Sequence, residues 1–367
     1  MITSILISLF PVLLIGALQW LTPSLVPATT PFGVRIPGDR ADTPVIAAQR
    51  RRYRLGTAIV TAAAAAGVIL AAGHPASGAV AGGAEVVAGV GLYRLARGRI
   101  IAVKRSEDWF GGHRQVVAAD TSLRTDPERY PTSWAVPLVL LLAGTVVAGV
   151  VEYPRMPARL ATHFGQGGHA DHYAAKSIGS VFGPVLTQAL VTALLLVLPQ
   201  VALRGRALLD AESSCATVRH RRFVSATARA LLVLAVCVNV TFLFAALVTW
   251  GLITVSGSVL VAASVAPVLV GTAVVLAVAL RTGQGGSRLR LGTPTGAGGG
   301  DRVVNRDDDH LYRWGLIYYN PDDPALFVPK RFGVGWTVNM ARPLAWVLLA
   351  ATVAAVALGP LLGSYAR

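Results

Sequence analysis

The chain has 367 residues, 54% of them hydrophobic and only 14% charged, with a formal net charge of +15. Soluble domains carry about a quarter charged residues, so a large soluble protein is excluded, and the excess of Arg over Asp and Glu is explained below by membrane orientation rather than by nucleic-acid binding. Two cysteines, Cys215 and Cys237, provide neither a disulfide framework nor a zinc ligand set.

Apolar stretches occupy 3–22, 55–73, 76–93, 134–151, 178–203, 230–252, 259–280 and 343–362. Each holds about 18 or more residues with few charges, the length of helix that crosses about 30 Å of hydrocarbon. The first, Thr3–Thr22, has no basic n-region and no small-residue cleavage site, so it reads as a span and not as a signal peptide. Of the 33 Lys and Arg residues, 29 lie in 23–54, 94–133, 204–229 and 281–342, and 4 elsewhere. Basic loops stay cytoplasmic. Those four blocks are therefore expected in the cytosol, with 153–177 and both termini outside. Arg outnumbers Lys 30 to 3, a usage that fits a GC-rich bacterial genome and hence a bacterial plasma membrane.

The expected fold class is an all-α integral membrane protein: a polytopic bundle of about eight transmembrane helices with a small cytosolic β-hairpin-like segment before the last. The expected organisation runs through a membrane region at 1–152, an external loop at 153–177, and a second membrane region at 178–280. A flexible Gly-rich linker at 281–300, a small cytosolic domain at 301–342, and the last span with its tail at 343–367 complete it.

Few polar groups interrupt the spans. Glu85 is the acid well inside one; His74, Gln188 and Asn239 are the others. Intramembrane ionisable residues point to function, so Glu85 reads either as a proton or ligand site or as an interfacial residue reached by Arg94 or Arg97. Gly78, Gly82 and Gly83 around it permit close helix packing. Pro184, Pro199 and Pro267 are positioned to kink their helices.

The external loop, Glu152–Ser177, gathers His163, His169, Asp171, His172 and Lys176 between prolines and glycines. Imidazole and carboxylate suit zinc, and His163, His169 and Asp171 or His172 are a conceivable set. The spacing is not that of HExxH. The expectation is no metal, but a turn tied by its own hydrogen bonds or a surface for an external ligand. In the cytosolic segment, Trp314–Tyr319 reads as one strand, Asn320-Pro321-Asp322-Asp323-Pro324 as a turn and Leu326–Pro329 as a second strand. Asp307–Asp309, or Asp322 with Asp323, read as solvated acids or as a cation site. Trp336 and Trp346 read as headgroup aromatics. No GxSxG, HExxH, phosphate loop or dinucleotide fingerprint is present, so neither enzyme nor cofactor is expected.

Two stretches carry a resemblance. In 153–177, Pro157, His163, Phe164, Gly168, Asp171, Tyr173 and Lys176 match a motif similar to that of a bacterial membrane-protein family of unknown function. Its domain also forms the N-terminal part of SdpI-type immunity proteins. Gly165 stands where that family often has a polar residue. Phe32-Gly33-Val34-Arg35-Ile36-Pro37 resembles a segment near the start of those proteins. Asp307–Trp346, with Tyr318, Tyr319, Asn320, Pro321, Asp322, Asp323, Pro324, Lys330 and Arg331, resembles a small C-terminal domain of unknown function. The resemblance implies immunity or sensing: the external loop meets a secreted toxin peptide, and the cytosolic blocks dock a regulator. The alternatives are a small-molecule or ion transporter with Glu85 as its coupling residue, and a metal-dependent membrane enzyme using His163 and Asp171. Besides these partners, only the lipid bilayer is expected, and no nucleic acid.

Overall fold

A computed structural model describes residues 2–365 apart from 72–73, 75, 165–169, 208, 212, 214 and 292–302. The chain forms two compact units. One comprises Met1–Asp120, Arg206–His220 and Thr282–Ala345, and the other Thr121–Gly205, Arg221–Arg281 and Trp346–Arg367. Helices dominate both, and the described residues add four two-stranded sheets, so the expected all-α class is corrected to a mostly helical one.

In the first unit, helices α1 (Ile2–Leu25), α2 (Pro44–Leu70) and α3 (Ser77–Ser106) pack on one another. Small residues set the approach: Gly78 lies against the backbone of Ser8, Gly16 against Thr61, and Gly89 against the Gln19 amide. Strand β1 (Arg114–Val116) follows. In the second unit, a short helix α4 (Ser122–Thr125) precedes α5 (Thr132–Glu152). A hairpin of β2 (Arg159–Phe164) and β3 (Ala170–Ala175) then leads to α6 (Ile178–Arg204). Helix α7 (Ala216–Thr249) begins in the first unit and continues in the second, and α8 (Gly257–Thr282) follows it. Both α6 and α8 run continuously through their prolines.

Among the described residues, six helices are long and apolar enough to cross a membrane: α1, α2, α5, α6, α7 and α8. The protein is therefore a multi-pass membrane protein by length and composition. Large apolar side chains such as Val139, Val147, Leu186, Leu190 and Val270 stand exposed along these helices, an area of apolar surface that water would not tolerate and lipid would. The count falls short of the expected eight for identifiable reasons. Six glycines, Glu85 and five basic residues dilute α3. The last helix, α9 (Pro343–Tyr365), is described as an apolar surface only over Pro343–Ala354.

The segment before α9 departs from the expected hairpin. Strand β4 (Val303–Asn305) pairs in parallel with β1. Strand β5 (Tyr312–Arg313) pairs antiparallel with β6 (Ile317–Tyr318), and β7 (Phe327–Pro329) with β8 (Trp336–Val338). The pairing is thus not across Asn320–Pro324. The chain reverses earlier, where Trp314 (φ 55°) and Gly315 (φ 75°) both take left-handed backbone, and later, at Gly333 and Gly335. Asn320–Pro324 is instead a loop braced by side chains. Asn320 Oδ1 accepts from the Asp322 amide, Asp323 Oδ1 from the Ala325 amide, and Asn339 Nδ2 donates to the Asn320 and Asp323 carbonyls. The Gly-rich tract also starts later than expected. Gln284 is buried and exchanges two hydrogen bonds with the Gly335 backbone. The rest of the expected linker, 292–300, lies outside the described residues.

Candidate functional site

The β2–β3 hairpin has an apolar base and a polar tip. At the base, Met156 and Leu160 are buried with Val181, Val185, Ala246 and Trp250. The Trp250 indole N–H donates to the Val181 carbonyl at 3.2 Å. Pro157 lies against Gly251. Lys176 donates to the Tyr153 and Met156 carbonyls at 3.3 and 3.0 Å, and its ammonium stands over the Tyr153 ring. Ser177 and Ser180 close a capping box that starts α6. Pro157 and Lys176 thus fasten the hairpin to the helices.

At the tip, the register shifts on either side of His163, and this bulge aims its ring at its neighbour across the ladder. His163 Nδ1 lies 2.6 Å and His172 Nδ1 3.1 Å from the same oxygen, Asp171 Oδ1. The two imidazoles meet edge to face, 5.6 Å apart. All three side chains are exposed. Hydrogen bonds from His163 and then His172 hold the Asp171 carboxyl below the usual carboxylate range. With both Nδ1 atoms donating to Asp171, each ring presents Nε2 outward as an acceptor. The cluster is therefore complete through its own hydrogen bonds, yet offers two imidazole nitrogens backed by a negative charge. The same three residues place one ligand atom each within 4.8 Å of one another, the donor set that a zinc-like ion takes. Tyr173 is exposed beside them and Phe164 half-buried. Gly168 and His169 lie outside the described residues.

The motif residues before α9 form a different arrangement. Asp308 pairs with Arg331 and, at 3.3 Å, with Arg35. Lys104 pairs with Asp307 and Asp309 at 2.7 and 2.8 Å. Asp309 Oδ1 also accepts the Arg35 amide at 2.8 Å. Arg97 donates to the Gly33 carbonyl at 2.6 Å and Tyr93 to the Gly315 carbonyl at 3.0 Å. The acidic triplet is thus a structural clamp, and the solvated-acid and cation-site readings of it are corrected. Burial raises the Asp308 carboxyl, but Arg331 and Arg35 outweigh it and bring it down to about 2. Burial opposes the charge on both arginines. The net effect lowers Arg35, which also feels Arg331, while at Arg331 burial is outweighed by Asp308, Tyr312 and Asp309 together, which raise it. Beneath the clamp, Phe32, Val34 and Ile36 join Tyr53, Tyr93, Ile100 and Trp109 in one apolar core.

The remaining motif residues brace this segment. Buried Asp323 accepts from the Tyr318 hydroxyl at 2.8 Å and pairs with Arg206. Burial pushes the Tyr318 hydroxyl up to about 12. Tyr319 stacks under Arg313, and Arg342 donates to the Pro321 carbonyl. Asp322, Pro324 and Lys330 are exposed. Sequence reasoning missed Lys104 and the partnership of Arg35 with Asp308, and it paired Arg97 with Glu85 where the structure turns it to the Gly33 carbonyl. The available signal was an arginine inside the otherwise apolar run Phe32–Pro37.

The polar residues expected inside spans divide in two. Gln188 and Thr192 of α6 both donate to Asn239 Oδ1 of α7, at 3.0 and 2.9 Å, in a buried interhelical network. Glu85 of α3 is fully buried and accepts from Thr61 Oγ1 of α2 at 2.5 Å.

Two matches to known families fall on these features. Residues 140–187, the hairpin with its flanking helices, match a domain of unknown function (DUF1648), and residues 321–346 match a family of unknown function (DUF5808). No curated protein and no solved structure matches the chain.

Proposed function

We propose that this protein is an immunity- or sensor-type protein of the bacterial plasma membrane, related to SdpI-type proteins, whose β2–β3 hairpin meets a secreted membrane-active peptide. The observation that carries the reading is the His163–Asp171–His172 cluster, exposed at the tip of a hairpin whose base is anchored by Trp250 and Lys176. A ligand with amine or peptide N–H donors finds two imidazole acceptors and one carboxylate on a rigid mount. The positive-inside bias puts this tip outside and the Arg35–Asp308–Arg331 clamp in the cytosol. In that orientation α3 and α9 complete eight spans, both termini face outward, and the basic cytosolic face receives a regulator.

The test is survival of cells challenged with a secreted membrane-active peptide. Wild-type protein should protect relative to an empty vector. His163→Ala and Asp171→Ala should reach the membrane in equal amount and protect no better than the vector. Full protection by both variants would reduce the hairpin to a connector.

A further inference from the structure

The interior of the α1–α2–α3 unit holds an unresolved polar arrangement. Glu85 Oε1 takes the Thr61 hydroxyl. Glu85 Oε2 is buried without a donor. One turn along the same contact, Gln19 of α1 donates its amide N–H to the Glu85 backbone carbonyl at 3.3 Å. That bond fixes the amide, and it leaves Gln19 Oε1 buried with no donor either. Glycines make room for these groups: a Cβ at Gly16 would come within 2.8 Å of Glu85 Oε1, and one at Gly89 would collide with the Gln19 amide.

Among the described residues, no side chain of the three helices supplies the missing positive charge. Helix α1 carries no charged residue. The nearest base on α2 is Arg54, which donates to Ser24 and lies over Trp20. On α3, Arg97 is turned to the Gly33 carbonyl and Arg94 to the Trp314 ring. Two acceptor oxygens remain in an apolar interior, one of them on a carboxyl group. Buried charges are paired or coordinate ions. Carboxylate, amide carbonyl and hydroxyl oxygens are the ligands of hard cations. A single carboxylate neutralises a single positive charge, so a divalent ion would leave the interior charged.

We propose that Glu85, with Gln19 and Thr61, binds one exchangeable monovalent cation, a sodium ion or a proton, between α1, α2 and α3. This site is independent of the hairpin and of the peptide reading. It gives the membrane unit the means to couple its packing to a cation gradient.

The probe is dicyclohexylcarbodiimide, an apolar reagent for carboxyl groups in apolar surroundings, applied to the full-length protein in lipid nanodiscs and read by mass spectrometry of the peptide containing Glu85. Glu85 should be modified, and Glu85→Gln should abolish the adduct. If sodium is the occupant, NaCl slows modification at fixed pH and KCl does not. If a proton is the occupant, modification follows pH and ignores both salts. In either case Gln19→Leu should move the dependence, by about tenfold in NaCl or about one pH unit, which is the same free energy. Thr61→Val should move it too, toward weaker protection by NaCl or, because the hydroxyl donates to the carboxylate, toward higher pH in the proton case, opposite to Gln19→Leu, so the proposal stays testable if Glu85→Gln fails to fold. A Gln19→Leu profile superimposable on wild type, or no adduct at Glu85 under any of these conditions, would overturn the site.

Discussion

Replacing Asp308 by Ala should open the segment that precedes α9. Asp308 is the shared counter-ion of Arg35 and Arg331, each only 2% exposed. Removing it strands two guanidiniums out of water, and breaking a buried pair from one side costs about 3–5 kcal/mol. Its lowered carboxyl gives an independent gauge. A shift from 3.8 to about 2 corresponds to about 2 kcal/mol, at about 1.4 kcal/mol per unit. Trypsin acting on full-length protein in nanodiscs reads the opening at Arg306, Arg313 and Lys330. Where opening is fast relative to cleavage, the rate follows the open population. The variant should therefore be cut about 10²- to 10³-fold faster. Exposed Asp322→Ala should change stability by less than about 0.5 kcal/mol. Asp308→Leu combined with Arg331→Met should cost less than the two separate losses added together. A depressed carboxylate stabilises above its unfolded value and loses that contribution as pH falls through its folded value. With pepsin, the wild-type advantage should therefore shrink as pH drops from about 4 toward 2. Cleavage of Asp308→Ala within about threefold of wild type would refute the clamp, because so small a ratio is less than 1 kcal/mol.

Three further outcomes are expected. Trp250→Ala should destabilise the second unit by about 3–5 kcal/mol and speed proteolysis at Arg159, since the indole is the centre of the hairpin's apolar base; unchanged thermal unfolding would contradict this. Asn239→Ala should cost about 1–3 kcal/mol by orphaning the buried Gln188 amide, while Thr192 keeps the Gln188 carbonyl, with a lowered melting temperature in detergent, whereas the apolar triple Gln188→Leu, Thr192→Val, Asn239→Leu should recover most of it. A reporter fused after Gly298 should score cytosolic and one after Arg367 external, and opposite labels at both would reverse the proposed orientation.

Length and hydropathy made the membrane helices legible, because a span needs only an uninterrupted apolar run. At 76–93 the run is less plain, because glycines, Glu85 and the basic residues that follow dilute α3 where it packs against α1 and α2. The histidines and Asp171 of the 153–177 loop were legible as a group, since they are close in sequence. That Lys176 faces inward to two carbonyls was not, because only the hairpin fold turns it there. The clamp was hidden for another reason. Arg35 and Asp308 are 273 positions apart, and no local period reports so distant a pair. The turn at Asn320–Pro324 misled because its composition suits both a hairpin and a braced loop, and Asn339, on a later strand, decides between them.

The distance in sequence between Arg35 and Asp308 also sets an order of events at the ribosome. At about 5–20 residues per second, roughly 10–60 s separate the emergence of Arg35 from that of its counter-ion, and Lys104 waits for Asp307 and Asp309 beside the same apolar core. Throughout that interval the nascent protein shows unneutralised cations around Phe32 and Tyr93, a surface that a chaperone or a membrane protease can read. Once Asp307, Asp308 and Asp309 arrive, the surface disappears. The acidic triplet thereby acts as a completion mark, and a chain truncated anywhere before it keeps the exposed face of an unfinished product.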